Sequence, residues 1–138
     1  MKVYLKQAKG STLITKGESN HWVVMDTSEE FLGNNAGSRP MELILMALAG
    51  CSSMDIIPIL KKKKVELTDY EVNISAERAS EHPKVFTKIE VEYVFYGKNI
   101  SPKDVERAIE LSTTKYCSVS AMLKNSVEIK TTYKIIDQ

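Results

Sequence analysis

The chain holds two cysteines, Cys51 and Cys117, and they carry most of the chemistry its sequence offers. Cys51 ends an apolar stretch, Met41-Glu-Leu-Ile-Leu-Met-Ala-Leu-Ala-Gly-Cys51. Cys117 lies in Lys115-Tyr-Cys-Ser-Val-Ser120, where one helix should end and another begin. Two thiols that meet in space can be oxidised and reduced as a pair. Only the thiolate is a nucleophile, and a helix N-terminus or a nearby cation favours it. Cys117, opening a helix with Lys115 beside it, is expected to gain from both. Cys51 sits mid-helix among apolar side chains, which alone would make it inert. Core packing is then its plainest role, and reactivity would need a cation or donors from elsewhere.

Other chemistry has less support. His21 and His82 are the only histidines, and neither C-x-x-C nor H-x-x-x-H spacing occurs, so no metal site is expected. His21 is read as lining a strand end and His82 as exposed in a turn. There is no nucleophile elbow and no glycine-rich phosphate loop. A net charge of +1 gives no electrostatic case for nucleic acid or an anionic membrane.

The elements that must position the cysteines follow from periodicity. With 138 residues, 43% hydrophobic and 27% charged, one domain over 1–138 is expected. Its N-terminus is too polar for a signal peptide. Its longest apolar run, Leu43 to Cys51, is far short of the ~20 residues that span a bilayer. A cytoplasmic location is expected, where cysteines are mostly reduced and a transient or catalytic disulfide is favoured over a structural one.

Val3 and Leu5, Leu13 and Ile14, and Trp22 to Met25 mark three strands, with turns at Gly10 and Gly17. Residues 26–38 read as a mobile loop. Ser38 is a candidate cap and Pro40 a first-turn residue for a helix running to Lys64, about 37 Å long. Pro58 should kink it. Lys61 to Lys64 read as its solvated, dipole-compensating end. From Leu43 to Ala49 every residue is apolar, and a helix apolar all round is buried all round. A second copy of the chain is the simplest cover for the side that one sheet leaves open, so a homodimer is expected.

Val72 to Ala76 and Val85 to Tyr96 read as strands, with Val85, Ile89, Val91, Tyr93 and Phe95 on one face. Ser101-Pro-Lys-Asp104 starts a helix that puts Val105, Ala108, Ile109 and Ser112 on one side. A short helix follows Cys117, and Val127 to Ile135 alternates as a last strand. The order is βββ-α-ββ-α-α-β, an α+β fold with helices on antiparallel sheet.

Arg39-Pro-Met-Glu-Leu-Ile-Leu-Met-Ala-Leu-Ala-Gly-Cys-Ser-Ser-Met-Asp55 resembles the central helix of the OsmC/Ohr family, the osmotically inducible and organic hydroperoxide resistance proteins. Lys115 to Ser120 resembles the family's second cysteine motif. Asn20 to Asp26 and Ala76 to Ile89 look like its YhfA-like branch. The resemblance covers nearly the whole chain, with both motifs at matching separation. It implies an intertwined homodimer around two long central helices, with sites at the subunit interface. It also implies a peroxidase that reduces organic hydroperoxides without a bound cofactor. Cys51 would be peroxidatic and oxidised to a sulfenic acid, Cys117 resolving, and an external dithiol would reduce the disulfide. Trapping by a neighbouring thiol protects a sulfenic acid from over-oxidation.

The chain departs from the family's peroxidases at two points. Their glutamate directly after the helix-opening proline is Met41 here, with Glu42 one residue later, about 100° around the helix. Their N-terminal-loop arginine has no counterpart before Arg39, so Arg39 and Arg78 are the possible substitutes. Glu42 could equally be a first-turn acid, Arg39 a surface residue and Arg78 a strand-end ion-pair partner. Alternatives to the peroxidase are an OsmC-like protein binding a small apolar ligand or serving another thiol redox role, and a structural dimer with inert cysteines.

Overall fold

A computed structural model describes residues 1–138. The chain divides into two compact units, Met1–Met46 and Ala47–Gln138, and the boundary falls inside a continuous helix.

In the first unit β1 (Val3–Lys9), β2 (Thr12–Gly17) and β3 (Trp22–Met25) form an antiparallel sheet in that order. Val3 pairs with Gly17 and Leu13 with Met25. The segment after β3 departs from the mobile loop expected for it. It contains a 3-10 turn at Glu29–Phe31 and is organised on the buried Asp26 carboxylate, 3% exposed. That carboxylate accepts from Thr12 Oγ1 (2.8 Å) and from the amides of Thr27 (2.8 Å), Asn34 (3.2 Å) and Ala36 (3.2 Å). Burial pushes the Asp26 pKa up, but these donors outweigh it and hold the group below the ordinary value. Gly33 and Gly37 let the loop close: a Cβ on Gly33 would lie 2.0 Å from the Thr27 carbonyl oxygen, and one on Gly37 2.6 Å from that of Val24.

The helix α1 spans Pro40–Lys62, two residues short of the expected end, and continues through Pro58. Its head is not capped by Ser38, whose backbone forms a bridge with Met25. Instead Glu42 Oε2 accepts the Arg39 N–H at 2.9 Å, the return half of a capping box. By length and composition α1 could cross a membrane. Within the chain its buried residues, Leu48, Ser52, Ile56 and Leu60, recur every fourth position and form one stripe. The single chain thus covers one side of α1; Met54, 79% exposed, and Ile57 lie on the side it leaves open.

The second unit carries β4 (Asp69–Arg78), β5 (Phe86–Tyr96) and β6 (Glu128–Ile136) in one sheet. β4 and β5 are antiparallel, with Asp69 opposite Tyr96. β6 runs parallel to β5, Lys88 opposite Glu128, so this sheet is mixed where an antiparallel one was expected. The helices between β5 and β6 supply the long crossover that parallel pairing requires. Ile89, Val91, Tyr93 and Phe95 form the buried face of β5, as alternation predicts. Val85 does not join them. It is exposed in the turn that contains the cis His82–Pro83 peptide, where its amide donates to the Pro83 carbonyl.

The helix α2 (Pro102–Leu111) follows Ser101 and buries Val105, Ala108 and Ile109. A π-helical turn, Ser112–Tyr116, leads to Cys117, and α3 covers Ser118–Leu123.

Candidate functional site: two neighbouring thiols

Both cysteines belong to the second unit, are free thiols, and are neighbours. α1 carries Cys51, half-buried, one position before the buried Ser52. The π-helical turn delivers Cys117, which is 2% exposed. A π turn packs an extra residue into the helical path. Its closing bond runs from the Cys117 N–H to the Ser112 carbonyl, 2.8 Å. Cys117 is also the N-cap of α3, its Sγ accepting the Ser120 N–H at 3.3 Å.

The expectation that this helix start favours the Cys117 thiolate is corrected. Burial pushes the thiol up to about 11, assisted by the neighbouring Cys51 and the charge of Asp55; the Ser120 amide opposes these only in part. Lys115 gives no help, since it is exposed and its Nζ lies over the Tyr116 ring, 5.3 Å from the centroid.

Polar side chains on and against α1 bond to one another nearby. Ser52 Oγ donates to the Leu48 carbonyl at 2.9 Å, and Tyr93 is buried. Ser53 Oγ and the Tyr70 hydroxyl lie 3.1 Å apart. Burial raises the pKa of both tyrosines, which keeps them as neutral phenols. Ser112 Oγ donates to Asp55 Oδ2 at 3.1 Å. Every buried side-chain nitrogen and oxygen has a partner. Asp55 and Ser112 had not been picked as site residues. Asp55 was readable as the residue one helical turn after Cys51, but its partner is 57 positions away and left no signal.

Of the other predicted site residues, Arg39 and Glu42 lie in the first unit. Arg39 Nη1 donates to the Gly37 carbonyl (3.2 Å) and Nη2 to Asn35 Oδ1 (2.5 Å). Glu42 serves as the helix cap described above. Arg78, at the end of β4, donates from Nε to the Lys84 carbonyl at 2.8 Å, bracing the hairpin rather than forming an ion pair. Arg78 and the thiols share a unit but no hydrogen bond.

The sequence pattern of OsmC-like proteins matches residues 33–132, a span that includes both thiols. The chain belongs to the OsmC-like family. It is 37% identical over 136 residues to protein YhfA of Escherichia coli K12, covering 99% of this chain and 98% of that one. A crystal structure of a hypothetical protein from Aquifex aeolicus VF5 shares 34% identity at a TM-score of 0.87, covering 99% of this chain and 96% of its own. The fold also matches an organic hydroperoxide resistance protein, OsmC, from Legionella pneumophila, with a TM-score of 0.71, 14% identity and 97% coverage of each chain. At that identity the likeness concerns the fold alone.

Proposed function

We propose that this OsmC-like protein is a thiol-dependent peroxidase that reduces organic hydroperoxides through a two-cysteine cycle. The observation that supports the reading is that the chain's only two thiols are neighbours, one half-buried and one buried. Cys51 Sγ, as thiolate, attacks the terminal peroxide oxygen. An S–O bond forms, the O–O bond breaks, and the alkoxide takes up a proton and leaves as the alcohol. The sulfur is oxidised to a sulfenic acid. Cys117 Sγ then attacks Cys51 Sγ; the S–S bond forms, the S–O bond breaks, and hydroxide leaves with the Cys117 proton as water. An external dithiol reduces the disulfide by exchange.

The half-buried thiol suits first attack, since a substrate must reach it. The buried thiol suits resolution, since it needs to reach only its neighbour. The apolar side chains of α1 favour an alkyl hydroperoxide over hydrogen peroxide. The exposed apolar residues on α1, Met54 and Ile57 among them, support a homodimer that covers them. We place the protein in the cytoplasm, where a dithiol reductant is at hand.

Replacement separates the roles. Cys51→Ser should abolish peroxide turnover. Cys117→Ser should permit one oxidation per chain and then stall. Unchanged turnover by Cys51→Ser would overturn the proposal. A second reading, a thiol redox role other than peroxide reduction, is favoured by one observation. The guanidinium of Arg39 is engaged by Gly37 and Asn35, and that of Arg78 by Lys84, so neither hydrogen-bonds to a thiol. Disulfide exchange with a small-molecule disulfide, without peroxide consumption, would select that reading.

A further inference from the structure

The helix α2 buries Val105, Ala108 and Ile109, and the next position on that face is a serine, Ser112, fully buried. A buried hydroxyl in apolar company is costly unless it is bonded. Ser112 is bonded through both its side chain and its main chain. Its hydroxyl donates to Asp55 Oδ2 at 3.1 Å, with the Ser52 carbonyl at 3.4 Å as a second acceptor in reach, and both acceptors belong to α1. Its carbonyl accepts the Cys117 amide at 2.8 Å. In an α-helix that carbonyl would take the Tyr116 amide, four residues on. The π turn takes the fifth residue instead, so Cys117 is the residue that closes on Ser112. The hydroxyls of Thr113 and Thr114 brace the turn, donating to the carbonyls of Ile109 (2.9 Å) and Glu110 (2.6 Å).

We propose that Ser112 is a positioning residue of the thiol pair: it fastens the turn that carries Cys117 to α1 beside Cys51, and so holds the two sulfurs ready to join. This rests on the thiol redox reading and deepens it, for peroxide reduction and disulfide exchange alike. The path between the two thiols is short. Cys51 is followed by Ser52, whose carbonyl faces the Ser112 hydroxyl, and Ser112 in turn holds the Cys117 amide. Cys117 is held from its other side by the Ser120 amide, which donates to its sulfur at 3.3 Å. Fixing two groups against each other raises their effective concentration and favours the bond between them. Without its hydroxyl, Ser112 would still close the π turn, but the turn would lose that bond to α1. Formation of the disulfide by oxidised glutathione balances simply. Both thiols give up their protons, the S–S bond forms, and the glutathione disulfide takes the electron pair and the two protons to leave as two thiols.

The test is a redox titration of the full chain in glutathione buffers, with no peroxide present. Acid quenching, alkylation and mass measurement give the fraction of Cys51–Cys117 disulfide, and from it the effective concentration of the pair. Ser112→Ala should lower that concentration about tenfold, the worth of one net hydrogen bond. Asp55→Ala, which removes the acceptor, should lower it too. Asp55→Asn keeps an acceptor without the charge and should stay near the parent. A role in stability alone would move the urea midpoint and leave the effective concentration of the folded protein where it was. An unchanged value in Ser112→Ala would overturn the proposal, as would a fall in Asp55→Asn as large as in Asp55→Ala, which would assign the effect to charge. Should Ser112→Ala fail to fold, Asp55→Ala decides by the same criterion. A parent that forms no Cys51–Cys117 disulfide at any glutathione ratio would overturn the thiol-pair reading and this inference with it. A parent that pairs, beside a Ser112→Ala variant that pairs equally well, counts against Ser112 alone.

Discussion

Cys117 and Ser120 are bound to each other: the thiol sulfur accepts the serine amide at 3.3 Å. The residue proposed to resolve a sulfenic acid is therefore also the cap of α3, and its chemistry and its structural duty can be separated by choice of replacement. Serine keeps an acceptor at the cap; alanine does not. Cys117→Ser should unfold in urea close to the parent, and Cys117→Ala should lose about 1 kcal/mol more than serine does, the usual worth of an N-cap. Equal stability of the two variants would show that the sulfur contributes nothing as a cap.

The carboxylate of Asp26 should make the first unit acid-sensitive. Its pKa lies below the ordinary value of 3.8 in the folded chain. A group depressed on folding stabilises the fold above its unfolded pKa, and that contribution disappears as pH falls through the folded pKa. The loss should therefore begin below about pH 4. Asp26→Ala, which strips four donors of their acceptor, should lower the urea midpoint at pH 7. It should also remove the corresponding part of the acid transition. Urea unfolding between pH 3 and pH 7 measures both effects.

Legibility of the fold tracked how local each signal was. Strand alternation in β5 and β6, the Ser101-Pro102 helix start and the apolar run of α1 were all readable, because each is written in contiguous residues. The Asp26 loop was not, because its organising bonds join one carboxylate to Thr12 on another strand and to amides that any residue could supply. The parallel pairing of β6 with β5 was equally hidden; an alternating strand has the same pattern in either direction. At the site, the two cysteines and their helical settings were legible. The rise in the Cys117 pKa was not, because burial is a tertiary quantity and outweighs the local helix start.

Gly33 is a sharper probe of the loop than its sequence suggests. Its added Cβ would meet backbone atoms of Thr27, at 2.0 and 2.4 Å, which have no rotamer to change. Gly33→Ala should therefore destabilise the protein by about 2 kcal/mol, in the range of overpacking costs, and should increase proteolysis within residues 26–38. Gly50→Ala, with nothing within 4 Å of the new Cβ in the isolated chain, is the matched comparison.

The exposed apolar residues of α1 give a prediction about assembly. Sedimentation should return a particle of twice the chain mass. The urea midpoint should rise with protein concentration, as it does when folding and association are linked. A monomer at all concentrations would leave Met54 and Ile57 in water and would contradict the dimer proposal.

The central claim is that Cys51 and Cys117 work as a peroxidatic and resolving pair. The most direct measurement is free-thiol loss in the fully reduced protein, titrated with cumene hydroperoxide and separately with hydrogen peroxide. The account predicts rapid loss of two thiols per chain at one equivalent of the organic peroxide, with hydrogen peroxide slower. Retention of both thiols against either peroxide would contradict it.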